Sequence, residues 1–407
     1  MDGMVDGLEA LVPAAGQADM DALRTVDAGE LAAYVAHPSH PWWRRRACAA
    51  ALAGRVPDAH VAELSARVRD TGDTPEVRTA LLEVLSERAE LLPWLCHEDR
   101  LRETGYGMSP AILQARGRLG DLSAARELAT LAFAPVRRAA GEAGLDALAA
   151  RYGDEAIRAE LGTERPEDRA AHLRIRHRAG EDVSDGMADP DPGVAFEAQE
   201  YLTDPERLRA HLHRAPTTDA KLWAAFALYR LTEDVDEPRA VYESLGRPRV
   251  EVPGLDEEIR RAIVHRYAPW HCERSTDPRW RLEALCTAPP PPVDHRAQLH
   301  RAVRALTAAG LEPGRPVSAD EYHQQGEGTY DLIDCGDDTV LISTLGRFAT
   351  SGSGGAAAPA ARDALMSAGF RWIDTSLAAI PVTGLCVYYF GSRKPLPVDT
   401  LLFHWQD

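Results

Sequence analysis

The sequence predicts a mainly α protein: a solenoid of stacked helix pairs followed by a small α+β domain. Three observations carry that expectation. One pattern recurs, a polar or small residue, a proline, a variable pair and then an Ala/Leu-rich helix, and TPEVRTALLEVLSE from Thr74 to Glu87 shows it best. Prolines space the pattern, with 34 residues from Pro41 to Pro75 and 35 from Pro75 to Pro110. Beyond residue 311 the apolar period turns from helical to alternating.

Residues 1–27 read as a leader in which DMDALRTV forms one short helix. From Asp27, DAGELAAYVAH is a helix, Ser39-His40-Pro41 a turn, and WWRRRACAAALAGR a second helix. DAHVAELSARVRD is a third, with Val61, Leu64 and Val68 on one face. In the Thr74 stretch, Pro75 suits a first helical position, where its missing N–H loses no partner. Val77, Leu81, Leu82 and Leu85 then share a face, and ERAELLPWLCHED follows, interrupted at Pro93. Looser copies are HPWWRRRACAAALA from His40, APVRRAAGEAGLDAL from Ala134, DPGVAFEAQEYL from Asp191 and DPRWRLEAL from Asp277. Helices over Thr217–Leu231 and Leu255–Ala268 fill the interval, so a helix pair recurs every 25 to 35 residues. Such a period is what stacked repeats need, because one helix pair cannot bury its apolar face alone.

The repeats stop before the run Pro289–Pro292, a stiff spacer. Asp294 caps a connecting helix, HRAQLHRAVRALTAAG, that ends at Gly310. TYDLIDC and TVLISTL then form a hairpin around Gly336-Asp337-Asp338, and the Gly/Ser stretch TSGSGGAAAP leads into the helix ARDALMSAGF. FRWIDT, LCVYYFG and VDTLLFHW read as three further strands, the last buried. The predicted organisation is a leader over 1–27, helical repeats over 28–287, a Pro-rich spacer and connecting helix over 288–310, and an α+β domain over 311–407.

Over residues 28–287 the chain resembles the HEAT-repeat families, especially the short bacterial HEAT-like repeats. Thr74-Pro75-Glu76-Val77-Arg78 matches their D/T-P-x-V-R element; Ala134-Pro135-Val136-Arg137 is one residue short, and Asp191-Pro192-Gly193-Val194 has Ala195 where arginine is expected. The resemblance implies a right-handed HEAT-like α-α solenoid. It also implies that Arg78 and Arg137 brace neighbouring repeats rather than bind ligands.

Composition narrows the function. The 407 residues are 45% hydrophobic and 27% charged, enough for two or more domains with cores of their own. Aromatics are only 6%, and Lys221 and Lys394 are the only lysines beside 44 arginines, so part of the alanine richness is a coding bias. The formal net charge is −17, and the stretch 311–407 is itself acidic, with 12 acidic and 6 basic residues. That field opposes non-specific nucleic-acid binding and anionic membranes. Six scattered cysteines without a CxxC pair suggest free thiols in a reducing cytoplasm. MDGMVDGLEAL lacks the basic and apolar regions of a signal peptide, and no run of about 18 apolar residues occurs.

Few residues offer chemistry. Trp42-Trp43-Arg44-Arg45-Arg46 has the aromatic and basic groups that stack on bases and hold phosphates, against which stands packing between repeats and pairing with acids. SGSGG ahead of Pro359 can cradle an anion, yet no GK[ST] follows, and a plain loop explains it. Tyr388, with Arg393 and Lys394 beside the Gly391 turn, offers a ligand or peptide edge; strand core and polar turn is the competing account. The histidines show no paired ligand spacing, Cys335 has no evident histidine partner, and GxSxG is absent.

The expected function is a non-enzymatic scaffold whose concave repeat surface recognises a protein or peptide, a basic one given the acidic charge, with no cofactor or metal. One alternative is a HEAT-like DNA-binding protein or alkylated-base DNA glycosylase using Trp42, Trp43 and Arg44 to Arg46. A second places a small-ligand or enzymatic site in the C-terminal domain, near the GSGG loop and Tyr388.

Overall fold

Helix starts follow the caps written into the sequence. Asp27 accepts a hydrogen bond from the Glu30 N–H at 3.0 Å and opens the helix Ala28–Ala36. Asp191, Thr217, Asp256, Asp277 and Asp294 likewise cap the helices Pro192–Glu200, Thr218–Thr232, Glu257–Tyr267, Pro278–Cys286 and His295–Ala308. These elements belong to a computed structural model that describes residues 7–8, 10–86, 88–96, 107–352, 355 and 357–406. The described chain is mainly helical, and all its strands lie between Val317 and Gln406. It forms two compact units, Met1–Glu181 and Asp182–Asp407.

In the first unit the helices come in pairs. Ala28–Ala36 packs on Trp42–Ala51, Val61–Arg69 on Pro75–Val84, and Ala125–Phe133 on Arg138–Tyr152. The second helices also touch in series, Trp42–Ala51 against Pro75–Val84, then Met108–Leu119, then Arg138–Tyr152. Val77, Leu81, Leu82 and Leu85 are buried as their spacing predicts. Pro93 sits in the first turn of a short helix, Leu92–Leu95, rather than interrupting a longer one. The end of that predicted segment, from His97, lies outside the described residues. The approach of Ala125–Phe133 to Arg138–Tyr152 depends on Gly141: a Cβ there would stand 2.2 Å from the Ala132 nitrogen.

Arginines brace the helices at one repeated position. Arg45, Arg78 and Arg260 each stand four residues after their N-caps, Pro41, Thr74 and Asp256. Each donates to a carbonyl ten residues back, on Val35 at 2.8 Å, Val68 at 2.9 Å and Val250 at 2.9 Å. Arg45 also reaches forward to Asp73 with two bonds, of 2.7 and 2.5 Å, both side chains being almost fully buried. Burial pushes the Asp73 carboxyl up, but hydrogen bonds from Arg45 and the Thr74 N–H outweigh it and hold the group below its usual range. Arg137 does not brace. It is exposed in the 3-10 turn Pro135–Arg137, and Arg138 opens the helix instead, bonding Glu142 at 2.8 Å. The residue missing from that copy of the motif accounts for the one-place shift.

The second unit joins helices to the sheet. Thr218–Thr232 is its inner helix, packed by Pro192–Glu200, Pro205–Arg214, Asp236–Ser244 and Pro278–Cys286. A five-stranded sheet has the order β1 (Val317–Ser318), β3 (Tyr330–Asp334), β4 (Thr339–Ser343), β5 (Phe348–Ser351) and β6 (Arg371–Trp372). Its pairings are antiparallel except β5 with β6. The predicted hairpin is β3–β4, pairing Asp334 with Thr339 around Gly336, whose φ is +74°. β7 (Pro381–Cys386) pairs with β8 (Pro395–Pro397), and β2 (Glu327–Gly328) with β9 (Trp405–Gln406).

Two expectations for this part change. VDTLLFHW is not a strand: Val398–Leu402 is helical and only Trp405–Gln406 pairs as strand. Its buried residues, Val398, Leu401 and Leu402, fall at helical spacing, and that period outweighs the β-branched composition. LCVYYFG is strand only at Leu385 and Cys386, the end of β7, and its remainder forms the turn around Gly391. Ile259, Ile263 and Trp280 share one core with Val382, Leu385, Val398 and Leu401. Trp280 Nε1 donates to the Thr383 carbonyl at 3.0 Å, and the Tyr267 hydroxyl to the Leu401 carbonyl at 2.7 Å.

Asp73→Ala strands the buried Arg45 charge and should cost the first unit roughly 3–5 kcal/mol in urea unfolding. The Asp73 contribution is fully present above its ordinary pKa of about 4 and falls away as pH drops through the lower folded value. The stability of the wild type should therefore fall faster in acid than that of Asp73→Ala; parallel profiles would refute the brace. A chain ending after Val398 should lose the cooperative melt of the second unit, and a melting curve that keeps it would overturn this account of the core.

Candidate functional site

The residues singled out from sequence lie in both units. Trp42 to Arg46 open the helix Trp42–Ala51 in the first. Trp42 and Trp43 are exposed at 41% and 37%, and their rings meet edge-on with centroids 6.1 Å apart. The arginines do not form one cationic surface. Arg45 is buried against Asp73, Arg44 Nε is tied to the Val12 carbonyl at 2.9 Å, and Arg46 is the exposed member. A base-stacking surface is therefore reduced to two rings and one exposed guanidinium.

In the second unit Tyr388, Arg393 and Lys394 flank a tight turn. Phe390 and Gly391 hold φ of +44° and +84°, and Tyr389 bridges Ser392. The Arg393 guanidinium lies 4.9 Å from the Tyr388 ring centre and pairs with Glu273 at 2.6 Å, while Lys394 is exposed. Here the structure adds what spacing along the chain did not show, a ladder of rings. Tyr322 meets His323, His323 stacks on Trp405 at 3.9 Å, Trp405 meets Phe390, and Phe390 meets Tyr389 at 4.8 Å. Tyr322 and Phe390, 60% and 52% exposed, carry the ladder to the surface. Trp405 stands 80 residues from Gln325, whose carbonyl accepts its N–H, so no local motif announces the grouping.

Tyr389 also faces a cleft of about 870 Å³ beside the Gly/Ser loop. Ser351 and Gly352 of that loop line it; Ser353, Gly354 and Ala356 lie outside the described residues. Trp372, Tyr389 and Phe403 supply aromatic walls, and Asp363, Asp374 and Asp399 supply carboxylates. None of the three carboxylates forms an ion pair among the described residues, and Arg362 is the cation in the lining. Asp374 caps the short helix Thr375–Ala378. Bonds from the Ser376 hydroxyl and the Leu377 N–H hold its carboxyl below the usual range. Burial, with the nearby Asp399 charge, pushes the Tyr389 hydroxyl up, so it stays a neutral donor. An open cleft of rings, with three carboxylates against the one Arg362 guanidinium, suits a cationic group.

Nucleophile chemistry finds little support. Burial leads in pushing all six cysteine thiols up, Cys48 to about 12 and Cys286 to about 11. Thiolate is the reactive form, so each thiol is held in its less reactive state. Among the described residues no three of His, Cys, Asp and Glu come together as a metal-holding group. Arg281 is a buried cation of another kind: it bonds the Glu273 carbonyl at 2.7 Å and packs 5.0 Å from the Phe196 and Phe226 rings. It braces the helices around Thr218–Thr232 and faces neither the cleft nor the ring ladder.

Cys96 is the exposed cysteine, with Asp121 accepting from its Sγ at 3.1 Å. Its alkylation by iodoacetamide at pH 8 should run slower than that of free cysteine, and Asp121→Asn should speed it; equal rates would contradict the raised thiol. No protein-family model matches the chain, and neither does any curated protein or any solved structure.

Proposed function

We propose that this chain is a non-enzymatic binding protein that recognises a basic segment of a protein partner. The single observation that carries the reading is the cleft of Asp363, Asp374 and Asp399 with Trp372, Tyr389 and Phe403. Lysine or arginine side chains gain there from both ring faces and carboxylates. The formal net charge of −17 favours the same partner by steering it from a distance. The exposed Tyr322 and Phe390 extend an apolar edge for neighbouring peptide residues. On this reading the helix pairs form a right-handed HEAT-like solenoid that acts as a scaffold in a cytoplasmic setting.

A second reading is supported by the same cavity. The cleft stands beside the Gly/Ser loop, and a free amine would use the same carboxylates. Binding of a fluorescein-labelled Arg/Lys-rich peptide, followed by anisotropy, separates the two, with arginine methyl ester as competitor. The peptide should bind far more tightly than the ester. Asp374→Asn together with Asp399→Asn keeps a capping side chain but removes charge, and should weaken peptide binding about tenfold or more. Binding should persist to about pH 4, because Asp374 stays ionised below the ordinary carboxylate range. Absence of peptide binding at low salt, or equal binding by the double variant, would reject the proposal.

A further inference from the structure

A second cavity in the same unit is richer in guanidiniums. It occupies about 570 Å³ between the start of helix Glu257–Tyr267, the run Pro290–Pro292, one face of helix His295–Ala308 and the turn from β4 to β5. Three guanidiniums line it: Arg261, Arg301 and Arg347, one from each of the two helices and one from the turn. None forms an ion pair among the described residues. The helix His295–Ala308 contains no acidic residue, a reversal of sign within a chain of net charge −17.

Carboxylates are present in the lining too, and two of the three are engaged. Glu257 is held on both oxygens by Arg249, at 3.0 and 2.9 Å, with Arg261 close enough to help keep it ionised. Asp294 caps its helix through the Ala297 N–H at 2.9 Å. Glu258 remains, at the exposed rim. The uncommitted charge is thus mainly guanidinium.

Gln298 adds an independent mark of a ligand. The residue is only 5% exposed, and its Nε2 donates to the carbonyls of Ser343 at 2.8 Å and Gly346 at 3.1 Å. Those two bonds fix which end of the amide is which. Its Oε1 is left buried with no hydrogen-bond partner. A buried acceptor in that state carries a penalty that a donor on a bound molecule removes. Phe348 and Phe370, with the prolines, provide apolar walls for the rest of such a molecule.

We propose that this cavity binds a small oxyanion-bearing ligand, a phosphate or carboxylate that also carries a hydroxyl donor. Guanidiniums take the oxyanion, whose planar or tetrahedral oxygens match their forked donors, and the hydroxyl serves the Gln298 carbonyl. The site shares no residue with the carboxylate cleft, so neither proposal depends on the other.

Thermal melting of the full chain tests it, with glycerol 3-phosphate and malate as probes and chloride at matched ionic strength as the reference. One of the two should raise the melting temperature saturably, and which one does so identifies the oxyanion. Arg301→Gln and Arg347→Gln should each lower the apparent affinity about tenfold, the worth of a charge-assisted bond. Arg296→Gln, on the same helix but outside the lining, should leave it unchanged. If malate is the binder, succinate, which lacks the hydroxyl, should bind more weakly. The proposal is overturned if neither probe exceeds chloride, or if Arg296→Gln costs as much as the lining variants, which would mark a diffuse field rather than a site.

Discussion

Buried guanidiniums hold this protein together. An arginine four residues into a helix turns back to a carbonyl at the end of the preceding helix, and at Arg45 it also reaches an acid in the next pair. Arg260 in the second unit reaches a loop carbonyl instead, on Val250, with both oxygens of Glu283 beside it and the Trp280 ring 4.2 Å from its centre. Helix ends leave orphan carbonyls, and a planar group with several donors can satisfy one while pairing an acid.

That device accounts for part of the arginine content of the chain. Much of its guanidinium content is spent inside, on Val35, Val68, Val250 and Glu283, or on surface acids. Where carboxylates stand unpaired around Trp372, and guanidiniums stand unpaired around Gln298, the fold has withheld the partners it supplies elsewhere. The two cavities of the second unit differ in charge, three carboxylates against one guanidinium lining the first and three of each lining the second.

The helices were legible in the sequence because their signals are local. Asp294 caps its helix where the sequence placed it, and Pro75 opens its helix. The brace at Arg78 was legible as a structural residue, though its carbonyl partner was not, and Arg137 stands exposed in a 3-10 turn. What escaped depends on distant parts of the chain. VDTLLFHW carries both periods, and the core formed by Ile259, Trp280 and Val382 selects the helix. Neither cavity shows a motif, because each is lined from elements tens of residues apart. Trp42 to Arg46 illustrate the converse: the cluster is conspicuous in sequence, but burial of Arg45 is visible only once Asp73 is placed.

The bond from the Tyr267 hydroxyl to the Leu401 carbonyl spans 134 residues. Closing so long a loop is entropically costly and has to precede the contacts that reward it. Synthesis proceeds from the N-terminus, so Ile259, Ile263 and Trp280 emerge well before Val398 and Leu401 arrive to cover them. The first unit can complete its core from neighbours already made, whereas the second must wait for nearly the whole chain. Until then an apolar face stands open to water and to other nascent chains, and that delay makes the second unit the part most in need of chaperone protection.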